Sequence, residues 1–489
     1  MPDNPRRRAN EPQAVGWPDS TEDGGQCRRR EAEKRLFLTT LPCKAISRGK
    51  HYLYPEIGVK LMGTKLERIS QLSTENPEMV FTSIGHLINK ELLKECHEKM
   101  EGDKAVGIDG VTKEEYGKNL EENLDRLVGR LRKKSYKPQP ARLVEIPKDN
   151  GKTRPLSIYC YEDKLVQEAL RQLLEAVFEP HFYDEMMGFR PGRGCHMALR
   201  KLNDMIENHP TNYVLDADIK GFFSHIDHEW AVKFIESRIK DPNVIRLVRR
   251  MLKAGIMKDF QFEETEEGSG QGSACSPVIA NIYMHYVLLW WFREKVKPGL
   301  EGYADIIVYA DDFVCCFQCK KDAEQFYERL KQRVMHFGLE LEESKSRLIE
   351  FGRHAQKRDG KKPETFTFLG FTHYNSKSRN GKYRVKRKTN KKKFAKKCKE
   401  THRAIAKMRT LPLSQIMKKL NQILVGYYHY YGITDNFKGI ADFYERVKKS
   451  LFYWLNRRSQ KKSYTWEGFR AMMKDYPLAS PKIYVSIYG

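Results

Sequence analysis

The chain has 489 residues, too many for one ordinary domain, and its 40% hydrophobic and 31% charged residues are those of a globular protein with material for buried cores. Lys and Arg number 89 against 64 Asp and Glu, a net charge of +25, which points to a polyanionic partner: nucleic acid first, an anionic membrane surface second. Membrane attachment is not expected, because the N-terminal stretch is polar and Arg-rich and the longest apolar run, residues 286–292, is far short of a span. A cytosolic protein follows. The ten Cys lack zinc-finger spacing and are expected to be reduced, mostly buried thiols.

Residues 1–75 carry Arg6-Arg7-Arg8 and Arg28-Arg29-Arg30 with little periodicity before Leu61, so a basic, largely disordered extension is expected there. Helical patterning begins over residues 84–100. It leads to the Gly-flanked turn Gly107-Ile108-Asp109-Gly110 and a capped helix start at Thr112. Residues 142–148 and 152–158 read as strands around the turn Asp149-Asn150-Gly151, which places Lys148 and Arg154 on neighbouring strands. Two cations held that way can clamp a triphosphate, or can simply be solvated. A long helix over 162–178 precedes the loop Gly188-Phe189-Arg190-Pro191-Gly192-Arg193-Gly194, whose glycines allow close backbone approach and whose Arg190 and Arg193 suit phosphate.

Residues 213–219 read as a strand interrupted by acids, with Asp216 and Asp218 on one face by the period of two. The apolar runs 306–308 and 313–317 flank Tyr309-Ala310-Asp311-Asp312, a strand-turn-strand pattern with two carboxylates at the tip. Alone, such a tip reads more readily as a solvated turn, because Asp is a common turn residue. With Asp218 beside it, three carboxylates converge and can hold two divalent ions roughly 4 Å apart for an in-line phosphoryl or nucleotidyl transfer. The small-residue loop 268–277 feeds an apolar helix over 278–291 whose N-terminus suits a nucleotide or template backbone, although its spacing matches neither phosphate-loop pattern. An amphipathic helix over 323–337 follows, then Glu342 to Ser346, then the turn Phe368-Leu369-Gly370-Phe371, expected to close the first large unit.

Between residues 382 and 409, 14 of 28 residues are Lys or Arg and Glu400 is the only acid, an imbalance that repels itself unless a polyanion lies against it. Lys386, Arg387, Lys388, Lys391 and Lys392 are the candidates for that contact. Beyond them come Tyr427, Tyr428, Tyr430 and Tyr431, then a helix over 443–458 ending in Trp454, Arg457 and Arg458. Tyrosines among cations suit base stacking, and the core of a small helical bundle explains them as well.

In this order the motifs resemble those of the bacterial group II intron-encoded proteins, a reverse transcriptase joined to a maturase (thumb or X) domain. The resemblance rests on Gly107-Ile108-Asp109-Gly110, Glu145-Ile146-Pro147-Lys148 with Arg154, Gly188-Phe189-Arg190-Pro191, Asp218 with Phe222-Phe223, Gln271-Gly272 with Ser276-Pro277, Tyr309-Ala310-Asp311-Asp312, Lys345, and Phe368-Leu369-Gly370-Phe371. It implies a right-hand polymerase fold: an α/β (α+β) fingers-palm unit on an antiparallel sheet over 76–374, a helical thumb over 375–460 and a tail over 461–489. It implies that Asp218, Asp311 and Asp312, with the Ile219 carbonyl, hold two Mg²⁺ ions, for which Mn²⁺ can substitute. Lys148 and Arg154 would grip the dNTP triphosphate, Phe223 would exclude a ribose 2′-OH, Ala310 and Gln271 would line the same pocket, and Lys345 would lie near the leaving pyrophosphate. Arg190, Arg193, Tyr427, Arg457, Arg458 and the basic run would meet RNA.

The implied partners are the group II intron RNA, an RNA template with a DNA primer, target DNA and dNTPs, in the bacterial cytosol and at the nucleoid during integration. The implied function is RNA-directed DNA synthesis with assistance to splicing. An RNA-binding splicing cofactor with secondary or lost polymerase activity, and a reverse transcriptase domesticated for phage defence, are the alternatives. The chain departs from the family pattern at Ser157-Ile158-Tyr159, Ser269 to Ser273, Ser224 and Val308. With no His after His429 and no Cys after Cys398, the Cys/His-bearing endonuclease domain of some relatives is expected to be absent, and second-strand cleavage with it.

Overall fold

The strands that carry the acids form a four-stranded antiparallel sheet in the order β6 (Ala304–Tyr309), β7 (Asp312–Phe317), β3 (Tyr213–Asp218), β8 (Arg347–Glu350). The computed structural model describes residues 64–147, 153–258, 261–263, 267–270, 272–355, 363–461 and 463–488. All of these lie in the compact unit Tyr54–Gly489. Val214, Leu215, Ile306, Ile307, Val314 and Phe317 are fully buried, as β-branched, aliphatic and aromatic side chains on a covered sheet are. The expected hairpin is present, β6 and β7 pairing up to Tyr309 opposite Asp312.

Helices cover the sheets. We number them α1 (Thr64–Glu75), α2 (Lys90–Lys99), α3 (Lys113–Gly117), α4 (Leu120–Arg132), α5 (Tyr161–Phe178), α6 (Cys195–Glu207), α7 (His228–Glu236), α8 (Pro242–Leu252), α9 (Ser276–Met284) and α10 (Lys320–His336). α1 corrects part of the expected disordered extension: Leu66 is buried, and Ser73 Oγ donates to the Val177 carbonyl at 2.7 Å, tying α1 to α5. Residues 1–63 lie outside the described ones. α4 ends on Lys134 at φ 60, a position where glycine is usual and a lysine costs about 1–2 kcal/mol.

A second sheet runs β2 (Thr153–Ile158), β1 (Ala141–Pro147), β4 (Ile256–Lys258), β5 (Gln261–Glu263). The expected β1–β2 hairpin is antiparallel, whereas β1 and β4 are parallel, so this sheet is mixed. A third sheet, β9 (Phe366–Phe368), β10 (Phe371–Lys377) and β11 (Tyr383–Thr389), is antiparallel. Leu369 and Gly370, both at positive φ, make the two-residue β9–β10 turn. The sheet continues past that turn, β10 runs through the boundary expected at 374/375, and Phe366, Phe371 and Val385 share one core with Val214, Ile307 and Val314.

The basic run splits into β11 and α11 (Lys391–Met408). Alternation along β11 turns Val385, Arg387 and Thr389 inward, so Arg387 is not an RNA contact: it is fully buried and donates to Asn203 Oδ1 at 2.6 Å. A helical bundle follows, α12 (Leu413–Tyr431), α13 (Phe437–Leu455) and α14 (Trp466–Asp475). Tyr427 belongs to its core, stacked on Phe443 at 3.9 Å between centroids, and is likewise withdrawn from the RNA contacts. The C-terminal segment is anchored: Ile433 bridges Val485, and Leu478 and Ile487 are buried. No helix among the described residues is long and apolar enough to cross a membrane.

Burial pushes His373, across from Arg387 in the sheet, far below the usual histidine range, with the Arg387 charge adding to the effect. Burial likewise lowers His181 and His285 to about 3. The folded rings stay neutral while the unfolded chain takes up protons below about pH 6.5. Their contribution is therefore whole above that pH and drains as pH falls, by about 1.4 kcal/mol per unit for each ring. His373→Phe, which preserves the stack on Phe366, should flatten that loss. Urea midpoints at pH 7.5 and 5.0 check it, and equal acid losses in variant and wild type would refute it.

Candidate active site

β3 enters the core with apolar residues and leaves it at Asp218, whose partner across β7 is Asp312. Register therefore puts two carboxylates on neighbouring strand ends, with Asp311 adjacent in the turn. Burial pattern confirms that Asp216 and Asp218 share the less covered face of β3. Asp312 reaches solvent but is surrounded by enough protein that desolvation, then the charges of Asp311, Asp218 and Asp216, raise its carboxyl to about 7. Asp216 is raised to about 6 by burial, against the pull of Arg347.

The compensating charge is Lys345, whose ammonium bonds Asp218 Oδ2, an interaction that raises the lysine's own pKa. The Asp218 N–H donates to Ser346 Oγ at 3.4 Å, and the Asp218 carbonyl accepts from Glu342 N at 2.8 Å. Ile219 bridges Leu341 through hydrogen bonds of its neighbours, Asp218 O and Lys220 N, and not through its own carbonyl. Among the described residues no three Asp, Glu, His or Cys side chains form a ready metal cage. The donor set nevertheless suits a hard cation of the Mg²⁺ kind, which takes one or two carboxylates and fills its shell with water and substrate phosphate. The Lys345 ammonium already occupies such a position on Asp218.

Two strained residues frame the acids. Ala310 has φ 60, at the first position of a two-residue hairpin turn that favours glycine, and Phe189 has φ 56 with about half its surface exposed. They meet through Gly188, where an added Cβ would stand 2.3 Å from Ala310 N. Met187 N donates to the Val308 carbonyl at 2.9 Å, so this loop runs along β6. The close backbone approach expected of these glycines is, at Gly188, an approach to the hairpin itself. Val308 is fully buried and bonded on both sides to that loop. Phe223 packs edge-on against Phe189 at 6.1 Å, and its carbonyl accepts from Ser269 N at 2.7 Å.

The loop 268–276 presses on β2. An added Cβ at Gly270 would stand 2.0 Å from the Tyr159 hydroxyl, and one at Gly272, φ 123, would stand 2.3 Å from the Ser157 carbonyl. The departures at Ser157-Tyr159 and Ser269-Ser273 are thus one interlock: the tyrosine occupies the space a larger residue at 270 would need. Gln271 and Lys148 lie outside the described residues; Arg154 pairs with Ile146 in the hairpin. Arg190 is not a free phosphate ligand. It is buried, paired with Glu179 at 2.9 Å, and donates to the carbonyls of Tyr183 and Met186, bracing the strained loop. Arg193 pairs with Asp184 at 2.7 Å. Lys388, Lys391, Lys392, Arg457 and Arg458 are exposed and Lys386 is half-buried.

Residues 146–373 match the reverse transcriptase (RNA-dependent DNA polymerase) family, and residues 391–472 match the group II intron maturase-specific domain. This chain belongs to the group II intron-encoded reverse transcriptase/maturase family. It is 37% identical to the group II intron-encoded protein LtrA of Lactococcus lactis over 239 residues, 48% of this chain and 40% of that protein. It is 33% identical to an uncharacterized 91 kDa protein in the cob intron of Schizosaccharomyces pombe, over 48% of this chain and 29% of that protein. The protein YkfC of Escherichia coli is 29% identical over 57% of this chain and 78% of its own length. The matches to the first two relatives thus span less than half of their length.

Gly188→Ala should lower stability by about 1–3 kcal/mol, because the added methyl meets backbone that cannot rotate away. Combined with Ala310→Gly, which frees the turn, it should show a coupling of about 0.5–3 kcal/mol in denaturant unfolding. Plain additivity would sink the contact.

Proposed function

We propose that this protein is an RNA-directed DNA polymerase that also binds its group II intron RNA and assists its splicing. The pairing of Asp218 with Asp312 across the palm sheet, with Asp311 in the intervening turn, carries this reading. Asp218, Asp311 and Asp312 would hold two Mg²⁺ ions, Mn²⁺ being a substitute, with the Ile219 carbonyl as a further ligand. Bound there, the ions supply charge that acidifies the primer 3′-hydroxyl and neutralises the departing pyrophosphate.

The side chains divide the remaining work. Lys148 and Arg154 grip the triphosphate of the dNTP, and Lys345, poised on Asp218, stands ready for a phosphate as the site fills. Phe223, held edge-on by Phe189, closes the space that a ribose 2′-OH would need. Ala310 and Gln271 line that pocket. The exposed cations Lys388, Lys391, Lys392, Arg457 and Arg458, with Lys386 and Arg193, are the intron or template contacts; a DNA primer and target DNA complete the set of partners.

Asp311→Asn or Asp218→Asn should slow extension of oligo(dT) on poly(rA) by about 10²–10³-fold, the scale for losing one preorganised charge contact. Chelation with EDTA should abolish wild-type extension and added Mg²⁺ should restore it. Undiminished extension by either variant overturns the site. Splicing of the flanking intron RNA by the same variants separates polymerase from splicing cofactor. Phe223→Ala should raise use of NTPs relative to dNTPs by about 10–200-fold in single-nucleotide incorporation; an unchanged ratio would remove Phe223 from the sugar pocket.

A further inference from the structure

Away from the acids, a cavity of about 290 Å³ lies between the C-terminal end of α4 and the helix α8. Ile88, Leu131, Tyr136 and Leu247 supply apolar lining, Arg132, Lys134 and Arg246 supply positive charge, and no acid lines it. Among the described residues none of these three cations has an ion-pair partner. Arg249, on the same helix, is paired with Glu229 at 3.0 Å and Glu236 at 3.7 Å. Charge left uncompensated around an apolar hollow is the arrangement of a polyanion contact and not of a stabilising network.

Lys134 adds an independent observation. It holds φ 60 where a glycine would sit without strain, and its carbonyl is fixed by Arg250 at 2.9 Å. The rim thus carries a cation in a left-handed conformation that favours glycine over a lysine side chain. On the other flank of α8 a more open hollow shares Arg246 and Arg250 with the cavity and adds Lys240 and Lys253, its one lining acid, Glu236, lying against Arg249, so net positive charge continues along the helix.

We propose that the cavity between α4 and α8 receives one unstacked base of a single-stranded RNA, whose flanking phosphates lie on Arg132, Lys134 and Arg246. This rests on the reading that the chain works on RNA. The volume falls at the lower bound, about 300 Å³, of small-molecule sites, which fits one base better than a peptide. Apolar seating of the base with cations on the backbone is the general mode of single-strand recognition.

The full chain should be titrated with a fluorescent single-stranded RNA carrying 4-thiouridine, over a salt series. Arg132→Gln/Arg246→Gln should weaken binding about tenfold and reduce the slope of log affinity against log salt by about 1.4, two phosphate contacts on a single strand. Lys134→Gly should weaken binding at least threefold while its Tm stays at or above that of wild type. Irradiated complexes should yield crosslinks in peptides containing Leu131 to Tyr136 or Val244 to Arg250. Unchanged affinity and salt slope in the double variant, a Tm of Lys134→Gly below wild type, or crosslinks confined to residues 382–409 would each overturn the proposal. Wild-type extension of oligo(dT) on poly(rA), run alongside, tests the polymerase reading separately, since binding and crosslinking do not depend on it.

Discussion

The constraint on which the site depends is the register between β3 and β7. A slip of one residue would turn every buried side chain of these strands to the wrong face, so the apolar interior, with Val214, Leu215, Val314 and Phe317 fully buried, permits one alignment. That alignment sets Asp218 against Asp312. Like charges on facing strand ends are unfavourable, and the core holds them there regardless. The local answer is Lys345 on Asp218 and Arg347 on Asp216, positive groups placed by the turn and strand that follow Glu342.

Around this pair the chain uses glycine and strain to bring backbone close. Gly188 lets the 185–189 loop touch the Ala310 turn, and Arg190, buried under that loop, ties its carbonyls down. Gly270 and Gly272 let the loop before α9 rest on β2. These contacts are backbone to backbone or backbone to hydroxyl, so the elements can shift only together. Phe189 and Phe223, brought edge to edge, inherit their positions from this framework.

The positive charge of the chain divides into two populations that composition cannot separate. Arg190 and Arg387 are buried and spend their donors on backbone carbonyls, the Glu179 carboxylate and the Asn203 amide oxygen, holding loops and sheets together. The lysines of β11 and α11 largely face outward, and Arg132, Lys134 and Arg246 at the cavity beside α8 ring an apolar hollow. Tyr427 went the way of Arg387: a residue type suited to RNA, taken up by a core.

Several features were legible from residue order alone. The alternation of residues 213–218 placed Asp216 and Asp218 on one face, the apolar runs around Tyr309-Ala310-Asp311-Asp312 specified the hairpin, and helical periodicity located α5 and α10 to within a few residues, while the expected helix over 443–458 begins six residues late for α13. These are local patterns, set by the periods of strand and helix. Only the tertiary structure decided that β1 pairs parallel with β4, that β9, β10 and β11 join the palm core, and which arginines face inward. Those outcomes depend on which apolar faces meet across large sequence separations, and a one-dimensional pattern carries no information on that choice. The meeting of Asp218 with Asp312 combines both: each strand is written locally, and their register is imposed by the core they share.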